Sequence, residues 1–111
     1  MITCSLTYKI DPDQVAAFET YAKVWIHLVN RMGGMHHGYW LPHEGANDVA
    51  FAHFSFPSLA AYEIYRAEAA VDAECQAAFA FATENHIIRS YERSFTRPVL
   101  DGISPQAAGI V

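Results

Sequence analysis

The sequence carries little charge. Lys and Arg number 7 and Asp and Glu 12, a formal net charge of 7 − 12 = −5, and together they make up 17% of the residues, against a typical ~25%. No cluster of Lys and Arg stands in it, so it lacks the electrostatic footprint that phosphate-backbone binding requires, and nucleic acid is not an expected partner. No apolar run approaches the ~20 residues that span a bilayer. The N-terminus Met1-Ile2-Thr3-Cys4-Ser5 has neither the basic nor the long apolar region of a signal peptide, which makes the cytoplasm the expected location. Cysteine is scarce too: Cys4 and Cys75 are far apart and in no Cys-x-x-Cys pair, leaving a zinc knuckle, a redox motif and a disulfide framework without support. Both read as small buried hydrophobes. There is also no Gly-rich phosphate loop, no Gly-x-Ser-x-Gly and no His-Glu-x-x-His, so hydrolase and nucleotide-dependent readings are weak.

What the chain does have is apolar content, 52% of its residues. A globule of this mass exposes roughly 6,000 Å² and buries about two-thirds of its unfolded surface, so the surplus must sit on the outside or in a second interface. Self-association is the first expectation.

Residues 2–10 alternate, with Ile2, Cys4, Leu6, Tyr8 and Ile10 on one face and Thr3, Ser5, Thr7 and Lys9 on the other, the pattern of a strand. Asp11-Pro12-Asp13-Gln14 supplies an N-cap acid, a proline for the first helical position and a variant of the capping box. The helix that starts there carries Val15, Phe18, Ala22, Trp25, Val29 and Met32 in one stripe, widened by Ile26 and Leu28, until Gly33-Gly34 ends it. Residues 35–41 and 49–56 read as two strands joined across the turn-rich Pro42 to Asp48. In the second, Ala50, Ala52, Phe54 and Phe56 alternate with Val49, Phe51 and His53, so both faces need cover. Pro57-Ser58 caps a helix over about 59–68, and Asp72 another to about 85 with Cys75, Ala78, Phe79 and Ala82 inward, the pair being two helices or one broken helix. Residues 87–97 form the last strand, ended by Pro98.

This order predicts an α+β fold: a ferredoxin-like split βαβ, with a four-stranded antiparallel sheet and its helices on one face. The first and third strands would be central and the fourth an edge, where Arg89, Glu92, Arg93 and Arg97 oppose further pairing. The domain spans 1–98, and 99–111 is a tail expected to pack on a partner subunit. The bare sheet face calls for a second sheet, which a two-fold homodimer supplies. The apolar surplus is expected there, on Ala50, Ala52, Phe54 and Phe56 or on their opposite-face neighbours.

The stretch Met35-His36-His37-Gly38-Tyr39-Trp40, then Val49 to Phe56 and Pro57-Ser58-Leu59-Ala60-Ala61-Tyr62, resembles the central core of NIPSNAP-family domains. Asp72 to Phe79 and the closing Phe95-Thr96-Arg97-Pro98 are similar to the family as well. The resemblance covers about residues 1–98 and implies a dimeric α/β barrel, an architecture shared with cofactor-independent oxygenases, haem-dependent chlorite-dismutase relatives and many proteins of unassigned activity. It implies a fold more firmly than a reaction. The family's first strand commonly reads Tyr-Glu-Leu-Arg-x-Tyr, whereas here Cys4 and Leu6 replace the Glu and the Arg. Chemistry that needs that charged pair does not carry over.

Six histidines invite a search for a site. A tight 43–47 loop sets His37 opposite His53 and Tyr39 opposite Phe51, giving one cluster of His37, Tyr39 and His53, with Tyr8 adjacent; the register decides whether His36 or His37 shares a face with His53. Two histidines without an assured carboxylate fall short of a catalytic zinc set, so no metal and no cofactor is expected. His53 and His37 are the candidate proton acceptors. Tyr8, Trp25, His37, Tyr39, His53 and Tyr62 are the candidate ligand-binding residues, although Trp25 on the helical stripe also reads as core. Arg89 and Arg93, with Tyr91 between them, are placed to bind an anion or to serve as a solvated edge or an inter-subunit ion pair. The preferred function is a dimeric module binding a small apolar or aromatic molecule in a cleft between helices and sheet. The alternatives are a cofactor-independent oxygenase using a cleft histidine, and a purely structural dimer.

Overall fold

The computed structural model describes residues 1–102, 104 and 106–109. Its elements are strand β1 (Ile2–Ile10), a 3-10 turn (Pro12–Gln14), helix α1 (Val15–Arg31), strands β2 (Met35–Trp40) and β3 (Val49–Phe56), helices α2 (Leu59–Val71) and α3 (Ala73–Glu84), and strand β4 (Ile88–Thr96). The antiparallel sheet has the order β2-β3-β1-β4, so β1 and β3 are central, β4 is an edge, and the α+β ferredoxin-like expectation holds.

The alternation in β1 sorts the sheet's two faces. Cys4, Leu6, Tyr8 and Ile10 are buried, and the first three pair laterally with the equally buried Phe54, Ala52 and Ala50 of β3. This face lies under the helices, where Phe18, Trp25, Leu28 and Val29 of α1 and Tyr62 and Tyr65 of α2 complete the core. The apolar β3 residues Ala50, Ala52, Phe54 and Phe56 therefore serve the intramolecular core. The bare face carries their neighbours Val49, Phe51, His53 and Ser55, so the second of the two placements of the apolar surplus is the one that applies.

Local chemistry explains the boundaries. Asp11 accepts a hydrogen bond from the Asp13 N–H at 2.9 Å, but Gln14 makes no capping box; its side-chain amide donates to the Asn85 carbonyl at 3.3 Å. The first turn tightens to 3-10 geometry, and α1 proper starts at Val15. The α2–α3 pair is broken at Asp72, whose extended backbone ends one helix while its carboxylate accepts the Cys75 N–H at 3.0 Å and caps the next. That acid also meets Arg31 of α1 at 2.8 Å, tying the break to α1. Cys4 and Cys75 are free and buried, as their scarcity and spacing predict.

Two irregularities change the expected faces. β2 begins with Met35 opposite Ser55 and His36 opposite Phe54, but His37 is an extra residue and Gly38, not His37, stands opposite His53. Tyr39 consequently faces Ala52 and Trp40 faces Phe51, correcting the expected pairing by one residue. Gly38 makes this bulge cheap, because its φ of +113° suits glycine. The second irregularity lies in β4, where the register shifts beyond Lys9. Arg89 thereby parts from Arg93 and approaches Asp11 at 3.8 Å.

Candidate functional site

The bulge divides the expected histidine–tyrosine cluster between the two faces. Tyr8 and Tyr39 remain together on the helix side, with ring centroids 6.2 Å apart. His36, rather than His37, joins them there, stacking on Tyr39 at 4.9 Å and on Phe54 at 5.4 Å. His37 and His53 lie on the bare face, among hydroxyls. His37 Nε2 bonds to Ser55 Oγ at 2.7 Å, which in turn meets Thr3 Oγ1 at 2.6 Å. His53 Nδ1 bonds to Ser5 Oγ at 2.9 Å, and Trp40 meets the His53 ring edge-on at 5.4 Å. Neither histidine lines the space between helices and sheet. Among the described residues no group of three His, Cys, Asp or Glu gathers as a metal ion would require.

That space holds a cavity of about 300 Å³. Leu6 and Tyr8 of β1 form its floor, Tyr21 of α1 and Phe79 of α3 its wall, and Tyr91 and Arg93 of β4 its open side. Arg66 of α2 closes the remaining edge. An inner lobe of about 50 Å³ continues from it towards Trp25, Tyr39 and Tyr65. Three of the six candidate ligand residues, Tyr8, Trp25 and Tyr39, thus border one connected space. Tyr62 is core instead, edge-on to Phe56 and Phe95 at 5.9 and 4.9 Å. Sequence reasoning missed Tyr21 and Arg66; Tyr21 is one place before the Ala22 of the helical stripe, so a broader face would have included it.

Burial sets the chemistry of the walls. It raises the Tyr8 and Tyr39 hydroxyls well above the ordinary phenol range and pushes Tyr21 up to about 12. All three remain phenols at neutral pH and can donate hydrogen bonds. Burial also lowers His36 to about 4, so it is a neutral imidazole at neutral pH. Its Nδ1 accepts the Gly38 N–H at 2.9 Å, which puts the remaining ring proton on Nε2. Among the described residues that Nε2, Trp25 Nε1 and Arg93 Nε are buried without a hydrogen bond of good geometry.

The NIPSNAP family's sequence profile matches residues 5–102. The chain belongs to the NIPSNAP family. Solved structures agree in fold. A NIPSNAP family protein of unknown function from Agrobacterium tumefaciens is similar at 18% identity, over 88% of this chain and 87% of that one, with a TM-score of 0.76. An uncharacterized NIPSNAP domain protein from Burkholderia xenovorans is similar at 17% identity, over 94% and 100%, with a TM-score of 0.72. The fold likeness extends to a putative antibiotic biosynthesis monooxygenase from Nitrosomonas europaea, at 7% identity over 90% and 100%, with a TM-score of 0.69. No curated protein matches the chain. Among the described residues no helix is long and apolar enough to cross a membrane. In this NIPSNAP domain Leu6 of β1 lies on the cavity floor, and the buried Cys4 stands two residues before it on the same face.

Proposed function

We propose that this NIPSNAP domain is a homodimer that binds a small aromatic molecule in the cavity between its helices and its sheet. The observation that carries the reading is the cavity: about 300 Å³, walled by the rings of Tyr8, Tyr21, Phe79 and Tyr91 with Arg66 and Arg93 at its edge, the pairing of aromatic walls with placed polar groups expected of a small-molecule site. The domain is placed in the cytoplasm, a reducing compartment in keeping with its two free thiols. The start of the tail is assigned to the partner subunit, an assignment supported by the exposed apolar side chains of Val99 and Leu100; residues 103, 105, 110 and 111 of the tail lie outside the described residues.

Native mass spectrometry of the protein from its own host, followed by calorimetric titration with 1-naphthol, tests the binding. We expect a retained small molecule or measurable naphthol affinity, abolished by Ala82→Phe, which fills the cavity from α3. The reading fails if nothing is retained and naphthol does not bind, or if it binds Ala82→Phe equally well.

The fold shared with the putative monooxygenase favours a second reading, an oxygenase acting on a quinol-type substrate. His37 and His53 would then need a role on the bare face, because the histidine on the cavity side, His36, is a poor proton acceptor at neutral pH. Oxygen uptake with a panel of quinols, unaffected by His37→Ala and His53→Ala, would remove both histidines from any such turnover.

A further inference from the structure

We infer that the ligand of this cavity is an anion, an aromatic carboxylate whose charged end is held by Arg93 and Arg66; the inference rests on the binding reading above and specifies its chemistry. Three of the seven basic side chains, Lys9, Arg31 and Arg89, meet carboxylates within 4 Å. Arg66 and Arg93 meet none among the described residues, and both border the main cavity and its inner lobe. A chain of net charge −5 thus presents two guanidinium groups without acidic partners at one concave site.

The geometry at Arg93 is the sharper observation. It projects from β4 opposite Leu6, its guanidinium carbon 5.4 Å from the centre of the Tyr91 ring, and its Nε is buried without an acceptor. A buried charged donor left unpaired is costly, and a bound acceptor removes the cost. Trp25 Nε1, at the inner lobe, is a second buried donor, turned towards the Tyr21 hydroxyl but without a hydrogen bond of good geometry among the described residues. Tyr8 and Tyr21 stay protonated, and among the described residues no carboxylate or carboxamide borders either space. The site therefore offers donors and lacks strong acceptors, so its occupant must bring the acceptors. A planar carboxylate suits the guanidinium fork, while an aromatic body suits the walls of Tyr8, Tyr21, Phe79 and Tyr91.

Titrating the full chain with 1-naphthoate and with its uncharged counterpart 1-naphthamide separates charge from shape. We expect naphthoate to bind about tenfold more tightly, as charge-assisted hydrogen bonds allow, and added salt to weaken only naphthoate. Arg93→Gln should bring the ratio near one. Arg66→Gln, an exposed helical position whose substitution leaves the core intact, should lower it independently, which keeps the test open if the β4 variant fails to fold. Equal affinity of the two probes for the native protein overturns the anion inference and leaves the aromatic site standing. Binding of neither probe overturns both.

Discussion

His36 is a residue whose protonation the fold resists. It lies on the helix side of the sheet, stacked on Tyr39 and Phe54, with its backbone N–H donating to Asn30 of α1 and its Nδ1 already accepting the Gly38 N–H. Burial is the larger cause of its lowered pKa, and the nearby His37 and His53 add to it. In the unfolded chain the same imidazole titrates near ~6.5, so between that pH and about 4 the unfolded state binds more protons than the native state. Stability must therefore fall as pH drops through this window and level off below it, with a contribution on the order of 2–3 kcal/mol at most. Urea denaturation of the native protein and of His36→Asn at intervals between pH 4 and 7 measures it. The native protein should show the acid-side slope and the variant should lose much of it; parallel profiles would place the acid sensitivity elsewhere. At this scale the sequence was only half legible. Adjacent histidines must divide between two faces, which their positions show, but the assignment depends on the bulge at His37, and no alternation pattern announces an extra residue. The glycine after it was the available signal.

The elements were more legible than their seams. Period-2 and helical patterns located all four strands and the helices, because each element buries one face and its side chains must repeat accordingly. The failures fall where one polar side chain had two uses. Gln14 left its capping role for the Asn85 carbonyl, a partner distant in sequence, and Arg89 left the Arg93 face for Asp11. Gly33-Gly34 shows the opposite case, a stop signal with a physical reason beyond turn preference. Gly33 takes φ +89°. The Gly34 N–H then donates to the Val29 carbonyl at 3.0 Å, closing α1. A Cβ at Gly34 would lie 2.6 Å from Val29 Cγ1 and 2.8 Å from Phe56 Cζ. Both of those side chains are fully buried, so neither has room to yield. Gly34→Ala should cost about 1–3 kcal/mol, the usual range for forcing a methyl into a packed core. The check is the urea midpoint, which should fall with an unchanged slope; an unmoved midpoint would mean that the α1–β3 contact adjusts freely.

On the scale of the whole molecule, the apolar surplus resolves into two parts. Most of it fills the core between helices and sheet, and the rest is exposed: Met35, Trp40 and Phe51 on one half of the bare face, at 54, 51 and 43%, and Leu59, Ile64, Val71 and Phe79 on the helix layer. The β1–β4 half of the same face is hydroxyl-rich, with Thr7 opposite Glu92 and Ser5 opposite Ser94. A two-fold pairing of bare faces would set each protomer's apolar half and hydroxyl half against its partner's and would need to cover about 800 Å² on each. Sedimentation at micromolar concentration should then give a species of twice 12.4 kDa. Phe51→Glu should return it to a single protomer of unchanged helix and strand content, because Phe51 faces away from the helices and contributes nothing to the intramolecular core. A native protein that sediments as one protomer would leave Trp40 and Phe51 bare in solution and defeat the dimer. A Phe51→Glu variant that still pairs would move the interface off this face, while leaving the cavity and its two arginines, which lie on the other side of the sheet, untouched.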